Sequence, residues 1–501
     1  MGTSVGGHKA GGSPTVGKPA LTGSSGTEPA AATGGRSGVV WAGRPRGVPA
    51  VVPPPWLPLT FLAATGLGVI ACGAALVWAA PTVVAHPMDD RVIGAAQFGT
   101  LAVLSMGVLG ALHQFTPVAA GRPLRSLRLA QLTFAAWLVA AWLIPVGLVA
   151  RREPMVEAGG AAVTVAVIAA VVNLGDPLRA RGKGTPVVGL RLALLGLVLT
   201  AGSGAAFVSD RSGSWFVLSG HVVLAHAVVG LFFWVGLVYI SVAEKLWPMF
   251  LLAHLPGRHH SGMVAVWATA AGVSVMSVGL WGRWPAAAWT GGAVLAGGLG
   301  AHLVSMVAHI RHRRRGADLH VTFVIAAAVW LIAAAVIGVV AAVVPVGHLT
   351  RERLVGAAVA AVAGWLLTAI VGHAHKVVPF IVWTSLRAAG VDTRRSDGRP
   401  LLFADLYDHN LAWTTFALTQ IGIAGIGVGL LADLSAAVAV GGAALAATGL
   451  VAAGNLSTRP LRLRTAAHLS TTAEAHPPVP AGGPAGGGRA TSDGNRDTPA
   501  F

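Results

Sequence analysis

The sequence predicts an all-α membrane bundle of about twelve spans, and three observations carry that prediction. Of its 501 residues 54% are hydrophobic and only 11% charged, with a mean hydropathy of +0.70, a composition suited to hydrocarbon rather than to water. Apolar runs almost free of charge recur from Leu57 to Gly454, each near the ~20 residues that cross a ~30 Å hydrocarbon core. The runs are rich in Ala, Val, Leu and Gly without strict apolar–polar alternation, so they read as helices and not as barrel strands.

Taken in order, the predicted spans are 57–80, 94–119, 128–150, 157–174, 186–207, 218–247, 263–281, 288–310, 320–345, 353–382, 408–432 and 437–457. Basic residues punctuate them. After the even spans stand Arg122, Arg125 and Arg128; Arg179, Arg181 and Lys183; Arg258; Arg311 and Arg313 to Arg315; and Arg387, Arg394, Arg395 and Arg399, fifteen in all. After the odd spans there are seven, namely Arg91, Arg151, Arg152, Arg211, Arg283, Arg351 and Arg353. An even span count puts both tails on one side, and the positive-inside bias makes that side the cytoplasm of a cell membrane. The net charge of +17 is thereby read as orientation in a lipid bilayer, with no nucleic-acid partner expected.

The flanking segments, 1–54 and 459–501, are rich in Gly, Pro, Ser and Thr with scattered Lys and Arg and are expected to be disordered tails around a membrane domain of 55–458. The first apolar run begins behind a long polar stretch and is long enough to stay in the membrane, so a cleaved signal peptide is not expected. Cys72 is the single cysteine, which excludes intrachain disulfides, CxxC haem attachment and a thiolate metal cluster. A cofactor would be held by His, Glu, Met or backbone.

A long internal repeat joins the ends of spans two, six and ten, which read HQFTP at His113 to Pro117, EKLWP at Glu244 to Pro248 and HKVVP at His375 to Pro379. The spacing is the same both times, since 244 − 113 and 375 − 244 are both 131. Each proline is followed by a Gly-Arg pair, at Gly121-Arg122, Gly257-Arg258 and Gly398-Arg399. Twelve spans then divide into three units of four, about 57–174, 186–310 and 320–457. A helical proline frees the carbonyl four residues earlier, and that residue is His113, Glu244 or His375. Two readings follow: a kinked helix end whose polar residues, with Lys245 and Lys376, reach the headgroups, or three polar groups converging at one mouth of a central bundle. In the second reading Glu244 pairs with His113 or His375, or relays protons.

Three sets of four spans with related helices two, six and ten resemble the plan of the haem-copper oxidase subunit I superfamily. The stretch from His226 through Phe232-Phe233-Trp234 to Trp247-Pro248 is similar to that family's haem-ligating helix. Gly372-His373-Ala374-His375 to Pro379 and Gly110 to Pro117 resemble uncharacterised bacterial proteins grouped with its cbb3-type branch. The resemblance covers roughly 57–457 and implies a redox or sensing protein, a haem, and a redox partner subunit. His373 and His375 mimic an HxH pair gripping two haems. Departures are equally specific: span seven contains no His, His259-His260 lie in the loop before it, and the position 131 residues before His226 is Ala95. The copper site is therefore missing and oxygen reduction is not expected.

Among single residues, His226 lies about eight residues into its span, roughly 12 Å deep at ~1.5 Å per residue, and is the best ligand candidate. With no partner on span two, the implied haem is five-coordinate or bound by a second His from elsewhere, which suits gas sensing better than bis-His electron transfer. A neutral hydrogen-bonded imidazole is the alternative. His221 reads as interfacial. His302 and His309, two turns apart on one face, lack the i, i+3 or i, i+4 spacing of helical metal sites; His309 merges into the basic cluster at Arg311, and packing or a hydrogen bond explains the deeper His302 as well as a metal does. Two other functional classes remain open on the sequence: a proton-coupled transporter, which the three parallel repeats disfavour, and a cofactor-free assembly protein.

Overall fold

The structure is a computed structural model that describes residues 52–179, 182, 184–216, 218–255, 260–388 and 399–475. The segments 1–51 and 476–501, where disordered tails are expected, lie outside the described residues, as do Gly257, Arg258 and Gly398. Among the described residues, twelve helices are long and apolar enough to cross a membrane. In chain order they are α1 (Trp56–Ala85), α2 (Asp90–Ala120), α3 (Leu127–Val149), α4 (Glu153–Leu178), α5 (Thr185–Arg211), α6 (Gly220–Leu251), α7 (Ser261–Trp281), α8 (Pro285–Arg311), α9 (Leu319–Val343), α10 (His348–Ala388), α11 (His409–Ala432) and α12 (Ser435–Ser457).

Each coincides with one predicted span. The differences are at the ends. Helix α10 runs for 41 residues, and the last helix continues past Ser457 to Ala475. This extension runs into the segment 459–501 that is expected to be a tail. Leu461, Leu463, Ala466 and Ala467 are strong helix formers, and a helix already nucleated in the membrane needs only to propagate.

The 131-residue repeat is visible in the backbone. Within α2 the segment Phe98–Ser105 is π-helical and Met106–Ala120 returns to α; within α6 Val229–Gly236 is π-helical and Leu237–Leu251 is α. Both boundaries are offset by one repeat. So is the terminating left-handed residue, Gly121 at φ 66° and Leu252 at φ 49°, whose N–H groups close on the carbonyls of Pro117 and Pro248. Glycine adopts that conformation without cost, whereas Leu252 carries about 1–2 kcal/mol of strain. The third unit departs, since α10 stays α-helical through the corresponding stretch.

Small residues set the packing, as expected where lipid leaves van der Waals contact to hold helices together. Gly66 and Gly73 of α1 lie against Gly449 and Gly442 of α12, where an added Cβ at 442 would stand 2.7 Å from the Gly73 carbonyl oxygen. The first and last spans thereby close the bundle. Inside it, α2, α6 and α10 touch pairwise at matching depth. Trp234 Nε1 donates to Ser105 Oγ at 3.2 Å, Tyr239 meets Trp365 with ring centroids 5.5 Å apart, and a Cβ at Gly107 would lie 3.4 Å from Ile370 Cγ2. Trp234 and Trp365, one repeat apart, are each 1% exposed and form the hub of this three-helix axis.

Candidate functional site

A cavity of about 1550 Å³ lies against the axis and is bordered by both π-helical segments, through Leu101 and Ser105 on α2 and Phe232 and Trp234 on α6. A π turn interrupts the regular ladder and re-aims side chains, and such turns recur at functional sites. The walls are mostly apolar. Asp90, Arg211, Arg283 and Arg351 lie at the rim, on the face opposite the tails. Arg211 donates to Glu153 at 2.7 and 2.8 Å and to Asp90 at 3.2 Å, pinning α2, α4 and α5 together there. Arg283 makes no ion pair among the described residues.

His226 lines this cavity. Its Nδ1 is 2.8 Å from Ser203 Oγ on α5. The Ser203 hydroxyl also lies 2.9 Å from the Leu199 carbonyl and 3.1 Å from the Thr200 carbonyl, so it either gives its one proton to a carbonyl and accepts from Nδ1–H, or gives it to Nδ1. In the first arrangement Nε2 keeps the lone pair by which an imidazole binds iron or another metal. Phe207, 5.1 Å between centroids, packs on the same ring. The repeat equivalents of His226 are Ala95 and Ala357, so one imidazole serves the cavity at this level.

The repeat-motif residues are not brought together. His113 is buried, donates Nδ1–H to the Leu109 carbonyl at 2.8 Å and stacks on Phe61 of α1 at 5.3 Å. His375 donates to the Val371 carbonyl at 2.9 Å, stacks on Phe323 of α9 at 5.8 Å and meets Tyr407 edge-on at 5.8 Å. Glu244 turns to Gly262 of α7 and hydrogen-bonds Ser305 of α8. Among the described residues no hydrogen bond, ion pair or ring contact joins any two of the three. Each polar side chain faces the outer helices of its own unit, and the expected pairing of Glu244 with His113 or His375 does not form. Pro117, Pro248 and Pro379 all stand inside continuous helix.

His373 and His375 diverge, as residues two apart on a helix must. His373 meets His320 of α9 at 4.5 Å, and neither His373 nor His375 lines the cavity. Their repeat levels are 16 and 18 residues from that of His226, about 24 and 27 Å along a helix. The three histidines expected to bind a cofactor thus belong to different places.

Two features lay beyond sequence reasoning. Ser203, which orients His226, is on another helix and carries no motif. The second is a polar cluster on the tail side of α6, α8, α9 and α10: Tyr239 packs edge-on against His302 at 5.4 Å and His373 at 6.0 Å, and Trp247 meets His302 at 5.5 Å and His309 at 6.4 Å. Beside it Lys376 pairs with Asp318. Burial, and secondarily the Asp318 carboxylate, pushes the Tyr407 phenol above its ordinary range. No group of three or more His, Cys, Asp or Glu side chains placed to hold a metal ion occurs among the described residues.

No protein-family model matches this chain, and no curated protein matches its sequence.

Proposed function

We propose that this membrane protein binds one haem in the cavity beside α2 and α6, with His226 as its protein ligand, and works as a redox or gas-sensing protein on a plan like that of oxidase subunit I. The observation that carries the reading is the setting of His226: Ser203 engages its Nδ1 at 2.8 Å, and its ring lines a large apolar cavity. His113 and His375 stack on Phe61 and Phe323 and do not line this cavity.

The surroundings fit the group. Apolar walls would exclude water from an imidazole-bound iron, and the uncompensated Arg283 at the rim suits a carboxylate substituent. Bound there, haem would supply a metal able to exchange electrons or take a small gas. The chain itself holds the imidazole, orients it through Ser203 and shields it with Phe207. The absence of an opposing histidine on α2 favours five-coordination. We further place the tail-bearing face in the cytoplasm, supported by the fifteen basic residues of the even-span loops against seven.

Protein purified from haem-replete cells, assayed by the pyridine haemochrome method, should hold about one haem per chain under this reading. Folded, monodisperse protein without haem after such expression contradicts it.

A further inference from the structure

Four imidazoles, a phenol, an indole, two carboxylates and an ammonium gather on the tail side of α6, α8, α9 and α10, away from the haem cavity. The groups facing one another are Tyr239 and Glu244 from α6, His302 and His309 from α8, His320 from α9 with Asp318 just before it, and His373 and Lys376 from α10. Among the described residues, three buried polar atoms in this cluster have no hydrogen-bond partner: His302 Nδ1, His320 Nε2 and Trp247 Nε1. Their residues are 1%, 6% and 2% exposed. An unpaired buried polar atom is costly, and a polar, roomy site meets that cost with ordered water.

We propose that these side chains line a hydrated pocket, continuous with water on the tail-bearing face, that takes up and releases protons. The chemistry of each member supports it. His309 and His373 donate Nδ1–H to the carbonyls of Ser305 and Ala369 at 2.8 and 2.7 Å, so each keeps an Nε2 lone pair. A proton from hydronium forms one N–H bond there and leaves water behind; its release reverses both changes, with no redox partner required. His302 uses no nitrogen on its own backbone, so it can accept on one nitrogen and release from the other. Glu244 is only half-buried, is bonded to Ser305 and lies near His309, while the Lys376–Asp318 pair stands at the α9–α10 side; these form the entrance. Tyr239 lies twelve residues from the end of α6, about 18 Å inward. Beyond it Trp365 and Phe232, with centroids 6.2 Å apart, separate the pocket from the haem cavity. The pocket is thus independent of any cofactor.

The test uses single-cysteine variants in a Cys72→Ser background, in sealed vesicles of each orientation, with a membrane-impermeant cationic methanethiosulfonate. Thiolate formation requires water. His302→Cys and His320→Cys should react from the tail face at least ~10-fold faster than Leu112→Cys, a position packed in apolar surroundings, and not from the other face. The pocket is refuted if both stay unreactive from either side while a cysteine at exposed Gly316 labels, or if they react only from the opposite face. In the unmodified chain, hydrogen–deuterium exchange at imidazole C2, read by mass spectrometry, should rise sigmoidally with pH at His302 and His320. Flat profiles at both would refute proton uptake even where the variants fail to fold.

Discussion

The rings of Phe61 and His113 stack with centroids 5.3 Å apart at an interplanar angle of 21°, and two repeat lengths later Phe323 and His375 form the same pair at 5.8 Å and 20°. One turn before each histidine, at Gly110 and Gly372, a Cβ would overlap the partner phenylalanine. The glycine admits the aromatic ring, and the ring covers the imidazole. In the middle unit the corresponding residues are Leu192, Ser241 and Glu244; without the ring pair, the carboxylate turns to α7 and α8.

Gly372→Leu should therefore push Phe323 from His375 and lower stability by about 1–3 kcal/mol, the usual range for overpacking. Thermal unfolding in detergent checks it. An unchanged midpoint would show that the glycine has no role in seating the ring.

Leu252 offers the opposite sign. Leu252→Gly relieves about 1–2 kcal/mol of left-handed strain against roughly 0.5–1 kcal/mol for the greater freedom of unfolded glycine. A small net gain in the unfolding midpoint is expected, while Gly121→Ala at the equivalent cap should lower it.

Much of this fold was legible because hydrocarbon demands a simple pattern: a span announces itself by length and lack of charge, so each of the twelve ranges fell within several residues of a helix. The repeat was legible because proline and a polar residue recur at fixed spacing. The π segments were not, since Phe98–Ser105 and Val229–Gly236 share no composition that distinguishes them from α-helix. His226 could be singled out by its depth. Its orientation could not, because Ser203 reaches it from another helix. His320, close to a span end, gave no hint that it meets His373; that contact depends on how α9 lies against α10. The overrun of the last helix to Ala475 was hidden by a polar composition that suits a tail as well as an emerging helix.

Sidedness has a direct check. In a Cys72→Ser background, Gly316→Cys should be labelled by an impermeant maleimide only from the cytoplasmic side, and Trp215→Cys, 77% exposed on the other face, only from outside. The reverse pattern would overturn the orientation.

Ser203→Ala removes the hydroxyl that engages His226 Nδ1. Haem affinity should fall by about 10–100-fold, the usual effect of losing such a supporting partner, while the apoprotein remains folded. Titration of haemin into apoprotein, followed by absorption, gives the ratio, and equal affinities would detach Ser203 from the site.

The most direct measurement is the absorption spectrum of His226→Ala beside the unaltered protein, both expressed with ample haem and purified from the membrane. The account predicts a Soret band in the unaltered protein and its loss in a His226→Ala variant that still inserts and stays monodisperse. A Soret band of equal height and position in both proteins, or none in the unaltered protein, would contradict it.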